Sequence, residues 1–467
     1  MEFQAVIMAA GRGLRMGCLT SGTPKALLPL GHYPLLYYPA KLLERSGFEE
    51  AILIVPESQV ALFTATVSRL GLNLKFDIAV VNEDDDLGTA DALRLIAPRI
   101  KTDVLVVSCD FISDLSLQRF ADKHRRHDSS ATALLAPTSL AFANMDKAKV
   151  TGTNSQELII GLDPADDLLA VFVDKVDVEG EHLSIGMNLL RQHPHIRLEN
   201  TLYDGHLYFF KKWIVDYVCA NTSLKSIQGD LLPLLVKKQF QKPAARTPLA
   251  SSGANTPTSA TSSRAEARGD VAAAARATDI HSFVPKSSWA DLARALPGSM
   301  PGEEGPEGHY TCYAHVLSQG HCVRSNTLPL YSEVARTLSQ MKGALGMDAV
   351  QNIHPSVVMK DKSQACSESI IAEHCNIGER CSIKKSTIGQ HCKIGDKVRI
   401  TNSIIMDHVT IKDNCNLHNT IVCPNAYIND QCVLTNCQVG KRFTIATASK
   451  FLNLLLSYCI AWCAVTP

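Results

Sequence analysis

IAEHCNIGERCSIKKSTIGQHCKIGDKVRI, residues 371–400, places an aliphatic side chain at Ile371, Ile377, Ile383, Ile388, Ile394 and Ile400. The steps are 6, 6 and 5, and they continue through Ile405, Ile411, Leu417, Val422, Ile428, Leu434, Val439 and Ile445, so the pattern returns every 17 residues. A helix would space its apolar face by three and four, and a plain strand by two. Steps near six, grouped in threes, predict a triangular coil with one inward aliphatic per side. That is a left-handed parallel β-helix, whose stacked coils pair as strands. Gly378, Gly389, Gly395 and Gly440 follow inward positions, where a corner is expected to need a permissive backbone. Cys375, Cys381, Cys392, Cys415, Cys432 and Cys437 each lie two residues before an inward aliphatic, hence on the same strand face. They are expected to fill the coil as small apolar groups. A metal cluster, the competing reading, needs converging ligands at a recognisable spacing.

Upstream, the periodicity changes. FQAVIMA, EAILIV, LKFDIAVV, DVLVVSC and SATALLA read as strands, with PLLYYPAKLLERSG, SQVALFTATVSRLG, TADALRLIAPRI and LSLQRFADKHRRH as the helices between them. This alternation predicts a parallel α/β sheet over residues 1 to about 136, with a mixed continuation to about 240. Such sheets bind ligands beyond the carboxyl ends of their strands. Residues 241–307 are dominated at first by Pro, Ser, Thr, Ala and Gly, too poor in apolar surface to offset ordering entropy, and read mostly as a disordered linker or insertion. Residues 308–349 are expected to complete the first domain, 350–446 to form the β-helix, and 447–467 to be an atypical apolar tail.

The totals exclude some functions. The 467 residues carry 46 Lys and Arg against 46 Asp and Glu, so a broad basic footprint for nucleic acid or an anionic membrane is not expected. MEFQAVIMAAG has no basic segment ahead of its apolar run, and FLNLLLSYCIAWCAV is short for a membrane span of about 20 residues. A cytoplasmic location with reduced thiols is the expectation for the 15 cysteines.

The chemistry-bearing motifs lie at strand ends. Ala9-Ala10-Gly11-Arg12-Gly13-Leu14-Arg15-Met16 follows the first strand, then Pro24-Lys25-Ala26-Leu27-Leu28-Pro29. The glycines let backbone amides approach phosphates, and Arg15 and Lys25 can neutralise their charge. Leu87-Gly88-Thr89-Ala90-Asp91-Ala92, Ser108-Cys109-Asp110 and Phe172-Val173-Asp174-Lys175 complete the set. Each also has a structural reading: Gly11 and Gly13 in a tight turn, Gly88 at a helix start, Asp110 as an N-cap, and Asp174 and Lys175 as an exposed pair.

Taken together, these motifs resemble the nucleotide-sugar pyrophosphorylase family, with its A-G-x-G-T-R-L and P-K signature, L-G-T-A-x-A loop, F-x-E-K element and C-terminal hexapeptide repeats. The resemblance implies an α/β Rossmann-like nucleotidyltransferase domain followed by a C-terminal left-handed parallel β-helix. It implies nucleotide-binding roles for Gly11, Gly13, Arg15, Lys25, Gly88 and Thr89, a sugar-phosphate role for Asp174 and Lys175, and metal binding for Asp110. Several positions depart from the family. Leu14 replaces the signature threonine, and Glu83, within a run of four carboxylates, replaces the base-reading glutamine. His206 replaces a glycine that makes room for sugar. Arg324, in Cys322-Val323-Arg324-Ser325-Asn326-Thr327, stands where W-x-D-x-G-T has its second metal-binding aspartate.

A branch of regulatory subunits accounts for these losses. Met1 to Val6, Leu87 to Arg94, Ser108 to Asp110, His206 to Asp216 and Cys312 to His315 are similar to the gamma-subunit family of eukaryotic translation initiation factor 2B. That resemblance implies a non-catalytic subunit, with no required cofactor and with residual nucleotide binding left open. It implies pairing with an epsilon subunit, attachment to alpha, beta and delta core subunits, and guanine-nucleotide exchange on translation initiation factor 2. Direct contact with nucleic acid or membrane is not expected. The alternatives are an active, Mg²⁺-dependent pyrophosphorylase of the GDP-mannose or ADP-glucose type using Asp110, Arg15, Lys25 and Lys175, or a subunit that senses a nucleotide or sugar phosphate.

Overall fold

The computed structural model describes residues 2–82, 87–138, 158–178, 182–183, 185–241, 280–285, 310–347, 350–360, 363–365 and 368–456. The carboxylate run beginning at Glu83, nearly all of the expected 241–307 linker and residues 457–467 lie outside them.

The first domain is built on a seven-stranded sheet. Its strands are β1 (Phe3–Met8), β2 (Glu50–Pro56), β3 (Lys75–Val81), β4 (Asp103–Ser108), β5 (Ala131–Pro137), β6 (Leu202–Phe210) and β7 (Cys312–Val316), in the spatial order β7-β5-β6-β4-β1-β2-β3. β1 pairs in parallel with β2 and β4, and β6 runs antiparallel between β4 and β5. The sheet is therefore mixed. β7, more than 100 residues further along the chain than β6, pairs in parallel with β5 and brings residues 312–316 to this domain. The central strands are buried on both faces, so Val104–Val107 reads as an unbroken apolar run. Among the packed helices are α1 (Tyr37–Arg45), α2 (Val60–Arg69), α3 (Thr89–Ile96) and α4 (Leu117–Arg126). A separate three-stranded sheet joins Leu158–Leu162, Leu169–Asp174 and Arg197–Glu199.

The second domain consists of three six-stranded parallel sheets. All the inward aliphatics named from the sequence are buried in one cluster, together with Cys375, Cys381, Cys392, Cys415, Cys432 and Cys437. Five of these thiols also donate to a backbone carbonyl of the next coil. Cys375 Sγ reaches Gly389 O at 3.0 Å, Cys381 Sγ reaches Gly395 O at 3.0 Å, and Cys415 Sγ reaches Asn429 O at 3.0 Å. Cys392 and Cys432 do the same at 3.1 Å. Among the described residues no group of three or more His, Cys, Asp and Glu could hold a metal ion.

Two details differ from the sequence expectation. The corner glycines do not supply the left-handed backbone. Positive φ falls instead on residues such as His374 (56°), His391 (55°), His408 (58°), Asn419 (49°) and Asn436 (53°). Gly378 is required by the stacking, since a Cβ there would lie 2.3 Å from Asp396 Oδ1 and 2.5 Å from Gly395 O. The coil also extends beyond 446. Lys450–Leu452 pairs with Val433–Thr435 and Leu455–Leu456 pairs with Gln438–Val439, so Phe451 and Leu456 continue the inward column. The leucine-rich FLNLLL hid this register, because Leu452, Leu454 and Leu455 are as apolar as the inward Phe451 and Leu456.

The domains are joined by a common apolar cluster. One β-helix face turns Ile370, Ile404 and Ile421 outward, with Met406 and Cys423 at its corner, and all five are buried against the first domain. Their partners include Met16, Leu19, Leu30 and Tyr38 and the helix α5 (Leu328–Met341) through Tyr331, Val334 and Leu338. Thr387 Oγ1 donates to Ala335 O at 3.1 Å, and Arg336 donates to Asn419 Oδ1 at 3.1 Å. The doublets Ile370-Ile371, Ile404-Ile405 and Ile421-Val422 are the sequence signal for this face, because adjacent strand residues point to opposite sides and both sides are covered.

Candidate functional site

A cleft of about 740 Å³ opens at the carboxyl ends of β1, β2 and β3. Its lining brings together Gly11, Gly13, Arg15, Lys25, Gly88 and Thr89 with His206, Gln228, Arg324 and Asn326. Gly13 has φ +68°, and a Cβ on it would lie 2.8 Å from Thr20 Cγ2 and 3.0 Å from Lys25 Cβ. It is a packing residue at a left-handed turn. Gly11, by contrast, has nothing within 4 Å of its missing Cβ and faces open space. Leu14, in the threonine position, is 83 % exposed.

Asp110 has no exposed surface and lies behind two lining residues, Lys25 and Arg324. Lys25 Nζ and Ser108 Oγ both donate to its carboxylate, one to each oxygen. Arg324 Nε lies 3.4 Å from each oxygen. Burial disfavours the charged carboxylate, but Lys25 and Arg324 outweigh it and hold Asp110 ionised, well below the usual carboxylate range. Ser325 N–H donates to Asp110 O at 2.9 Å, which fixes the Arg324 segment against the strand end. Mg²⁺ prefers an octahedral oxygen shell with carboxylates and water. Here the carboxylate oxygens are already engaged by two cations and a hydroxyl, so this donor set does not fit that ion.

His206 adopts φ +55°, a conformation that a glycine takes without strain and other residues take at a cost of about 1–2 kcal/mol. Its Nε2 lies 2.8 Å from Gln228 Oε1. Burial and the nearby Arg324 charge push the imidazole pKa down to about 3, so the ring is neutral. Asp204 is also buried. Tyr208 hydroxyl donates to one of its oxygens, and the His206 N–H donates to the other at 2.9 Å. Burial raises its carboxyl to about 6 despite these donors.

The L-G-T-A element makes specific structural contacts. A Cβ on Gly88 would lie 2.1 Å from Lys225 O. Ala90 N–H donates to that same carbonyl at 2.8 Å, and Ile227 N–H donates to Thr89 Oγ1 at 2.8 Å. Arg94 then anchors Val218 O, Asn221 O and Leu224 O at 2.9–3.0 Å. The helix start is thereby locked to residues 218–227.

Asp174 and Lys175 are not brought to this cleft. Asp174 ends a strand of the three-stranded sheet, and its carboxylate accepts from Val176 N at 3.2 Å to cap a short turn. Sequence reasoning did not name Ser226 or Gln228, which join the lining from a short helical turn and its cap that carry no motif of their own. Arg324 was named as a lost carboxylate; its pairing with Asp110 required the fold.

Residues 4–143 match the nucleotidyl transferase family model, and residues 351–451 match the LbH domain model of the EIF2B epsilon subunit. A translation initiation factor eIF2B subunit gamma from Schizosaccharomyces pombe is 37% identical over 246 residues, 52% of this chain and 53% of that relative. The chain is similar to eIF2B gamma subunits. The aligned part spans about half of the S. pombe relative's own length. A Dictyostelium discoideum eIF2B subunit gamma aligns more extensively, at 27% identity over 416 residues, 82% of this chain and 87% of the relative. Enzymes share the fold: a mannose-1-phosphate guanyltransferase from Debaryomyces hansenii is 26% identical over 194 residues, 40% of this chain and 49% of the enzyme. No helix among the described residues is long and apolar enough to cross a membrane.

Proposed function

We propose that the chain is a non-catalytic, gamma-type subunit of the translation initiation factor 2B exchange complex. It pairs with an epsilon subunit, docks on the alpha, beta and delta core, and promotes replacement of GDP by GTP on translation initiation factor 2. The observation that carries the loss of catalysis is the ion-paired Asp110. Nucleotidyl transfer needs the charge of departing pyrophosphate to be neutralised, ordinarily by Mg²⁺. With Lys25 and Arg324 both committed to Asp110, that carboxylate is not free to seat the ion. Exposed Leu14 and the inward His206 remove polar contacts and space from the same cleft. The names of the gamma relatives support the assembly role.

A nucleotide-sensing role is compatible with this reading. It is favoured by the cleft volume and by Gly11, which leaves backbone open to a ligand. The test is to purify the chain alone and with an epsilon subunit, then follow GDP release from initiation factor 2 and pyrophosphate release from GTP or ATP with sugar 1-phosphate and Mg²⁺. The pair is expected to release GDP faster than epsilon alone, and the chain alone to release no pyrophosphate. Nucleotide-sugar synthesis by the isolated chain overturns the proposal in favour of an active pyrophosphorylase. Weakened nucleotide binding in Arg15→Ala would support sensing, and unchanged binding would remove it.

A further inference from the structure

Cys18 lies in the signature loop, but a phosphate cradle has no use for a thiol. The loop segment Leu14–Thr20 turns Met16 and Leu19 into the cluster shared with the β-helix. This brings Cys18 Sγ to 3.8 Å from Cys423 Sγ, although the two are 405 residues apart in sequence. Cys423 follows the strand Ile421–Val422 at the corner of the docking face and is buried, whereas Cys18 is half-buried. Both are free thiols. Cys423 donates to the Cys18 sulfur, and Cys18 donates to Gln438 Oε1 at 3.7 Å.

The thiols inside the coil are in a different position. Cys375, Cys381, Cys392, Cys415 and Cys432 are fully enclosed and directed at backbone carbonyls of the next coil. Only a thiol with solvent on one side can meet an oxidant without unfolding. Cys18 has that exposure and also has a second sulfur beside it. The hydrogen bond from Cys423 lowers the Cys18 thiol from its ordinary range against the opposing effect of burial. A thiolate so placed is the nucleophile and its neighbour the resolving group.

We propose that Cys18 and Cys423 form a reversible disulfide when the chain meets hydrogen peroxide, a covalent latch between the signature loop and the β-helix. The Cys18 thiolate attacks one peroxide oxygen and the O–O bond breaks. The departing hydroxide takes up the proton lost by Cys18 and leaves as water, with Cys18 as a sulfenic acid. The Cys423 sulfur then attacks the Cys18 sulfur. The S–S bond forms, the S–O bond breaks, and the hydroxide leaves as water with the Cys423 proton. The net change is two thiols and one peroxide to one disulfide and two waters, with the sulfurs oxidised and the peroxide oxygens reduced. Bond formation needs the sulfurs to close from 3.8 Å to about 2.05 Å, a movement available to the exposed loop. Thr20 Oγ1 donates to Gly13 O at 3.1 Å, so anchoring Cys18 also restrains the loop that leads to Lys25.

The test exposes the folded full-length chain to stoichiometric hydrogen peroxide and maps it by non-reducing tryptic mass spectrometry with fragmentation of the linked peptide, because Cys423 shares its tryptic peptide with Cys415, Cys432 and Cys437. The expected product is a Cys18–Cys423 linked peptide that thiol reductant cleaves and that Cys18→Ser lacks. Cleavage by trypsin after Arg12 and Arg15 in the folded chain should slow severalfold on oxidation and recover on reduction. Half-buried Cys219 serves as the accessible control, and Cys219→Ser should leave the link intact. Because Cys423→Ser removes a buried group, Cys18→Ser is the deciding variant. Conversion of Cys18 to sulfinic acid without a link overturns the proposal. So does a link from Cys18 to another cysteine, or an unlinked Cys18 while Cys219 is oxidised. Equal cleavage rates before and after linkage would overturn the latch.

Discussion

In the β-helix, an inward side chain meets its counterpart 17 residues along, coil after coil: Ile383 beside Ile400, Ile400 beside Leu417, Leu417 beside Leu434. Behind the cleft lining, Asp110 meets Lys25 and Arg324, which are 85 and 214 residues away. The first arrangement repeats one local solution, so a substitution removes contacts of known kind. The second closes a charge balance among groups that nothing in the chain's order brings together. The difference shows why a motif read from the chain does not by itself specify the charges that will face it. Lys25 and Asp110 both match the motifs, and Arg324 adds a second cation to the same carboxylate.

The strongest way to break this contrast is Asp110→Ala. It leaves Lys25 and Arg324 facing each other in a buried site, and about 3–5 kcal/mol of stability should be lost in urea titrations. A neutral result would mean that the cations find solvent and that the cluster is not closed. Leu417→Ala tests the coil. Leu417 is fully buried among its stacked neighbours, and about 3 kcal/mol should be lost through transfer and cavity terms. Equal losses at Leu417 and at exposed Leu452 would contradict the inward assignment, because Leu452 should cost under about 0.5 kcal/mol.

Asp204→Asn probes the second buried carboxyl. Between the unfolded value of about 4 and the folded value of about 6, the folded state holds a proton that the unfolded state has released. Wild-type stability therefore falls as pH rises through that window, and Asn removes the slope. Relative to wild type, the variant should gain about 2 kcal/mol from pH 4 to pH 6 and stay level above it, by chemical denaturation at each pH. A flat difference would place the Asp204 proton elsewhere. His206 contributes with the opposite sign: its lowered pKa loses stability as pH falls from about 6.5 towards 3, in wild type and variant alike, so the difference profile cancels it.

Smaller effects separate ladder from strain. Asn436 accepts from Asn419 at 2.7 Å and donates to Asn453 at 2.9 Å while holding φ +53°. Asn436→Ala should cost about 1 kcal/mol and Asn436→Gly less, because glycine keeps the backbone and loses only the ladder. Equal costs for the two variants would make the side-chain ladder dominant. Leu14→Thr restores the family residue at an exposed position. It should change stability by under about 0.5 kcal/mol and give no pyrophosphate release. Restored transfer from this single change would break the reading of the cleft.

The period of 6, 6 and 5, the alternation of strands and helices and the positions of the glycine loop and Asp110 were legible from the chain alone. Each is a short-range pattern imposed by repeating backbone geometry. Even there, the reason for Gly378 was misread, because contact with Asp396 and Gly395 belongs to the next coil. Asp174 and Lys175 look like site residues in a motif, but Asp174 instead caps a turn of the smaller sheet. The pairing of Arg324 with Asp110, the Gly88 contact with Lys225 and the meeting of Cys18 with Cys423 were decided by the tertiary structure. Those encounters depend on where separate strands end and how the two domains dock. Local spacing carries no record of distances across the fold, so the chain order specified the elements while packing specified which charges and thiols became neighbours.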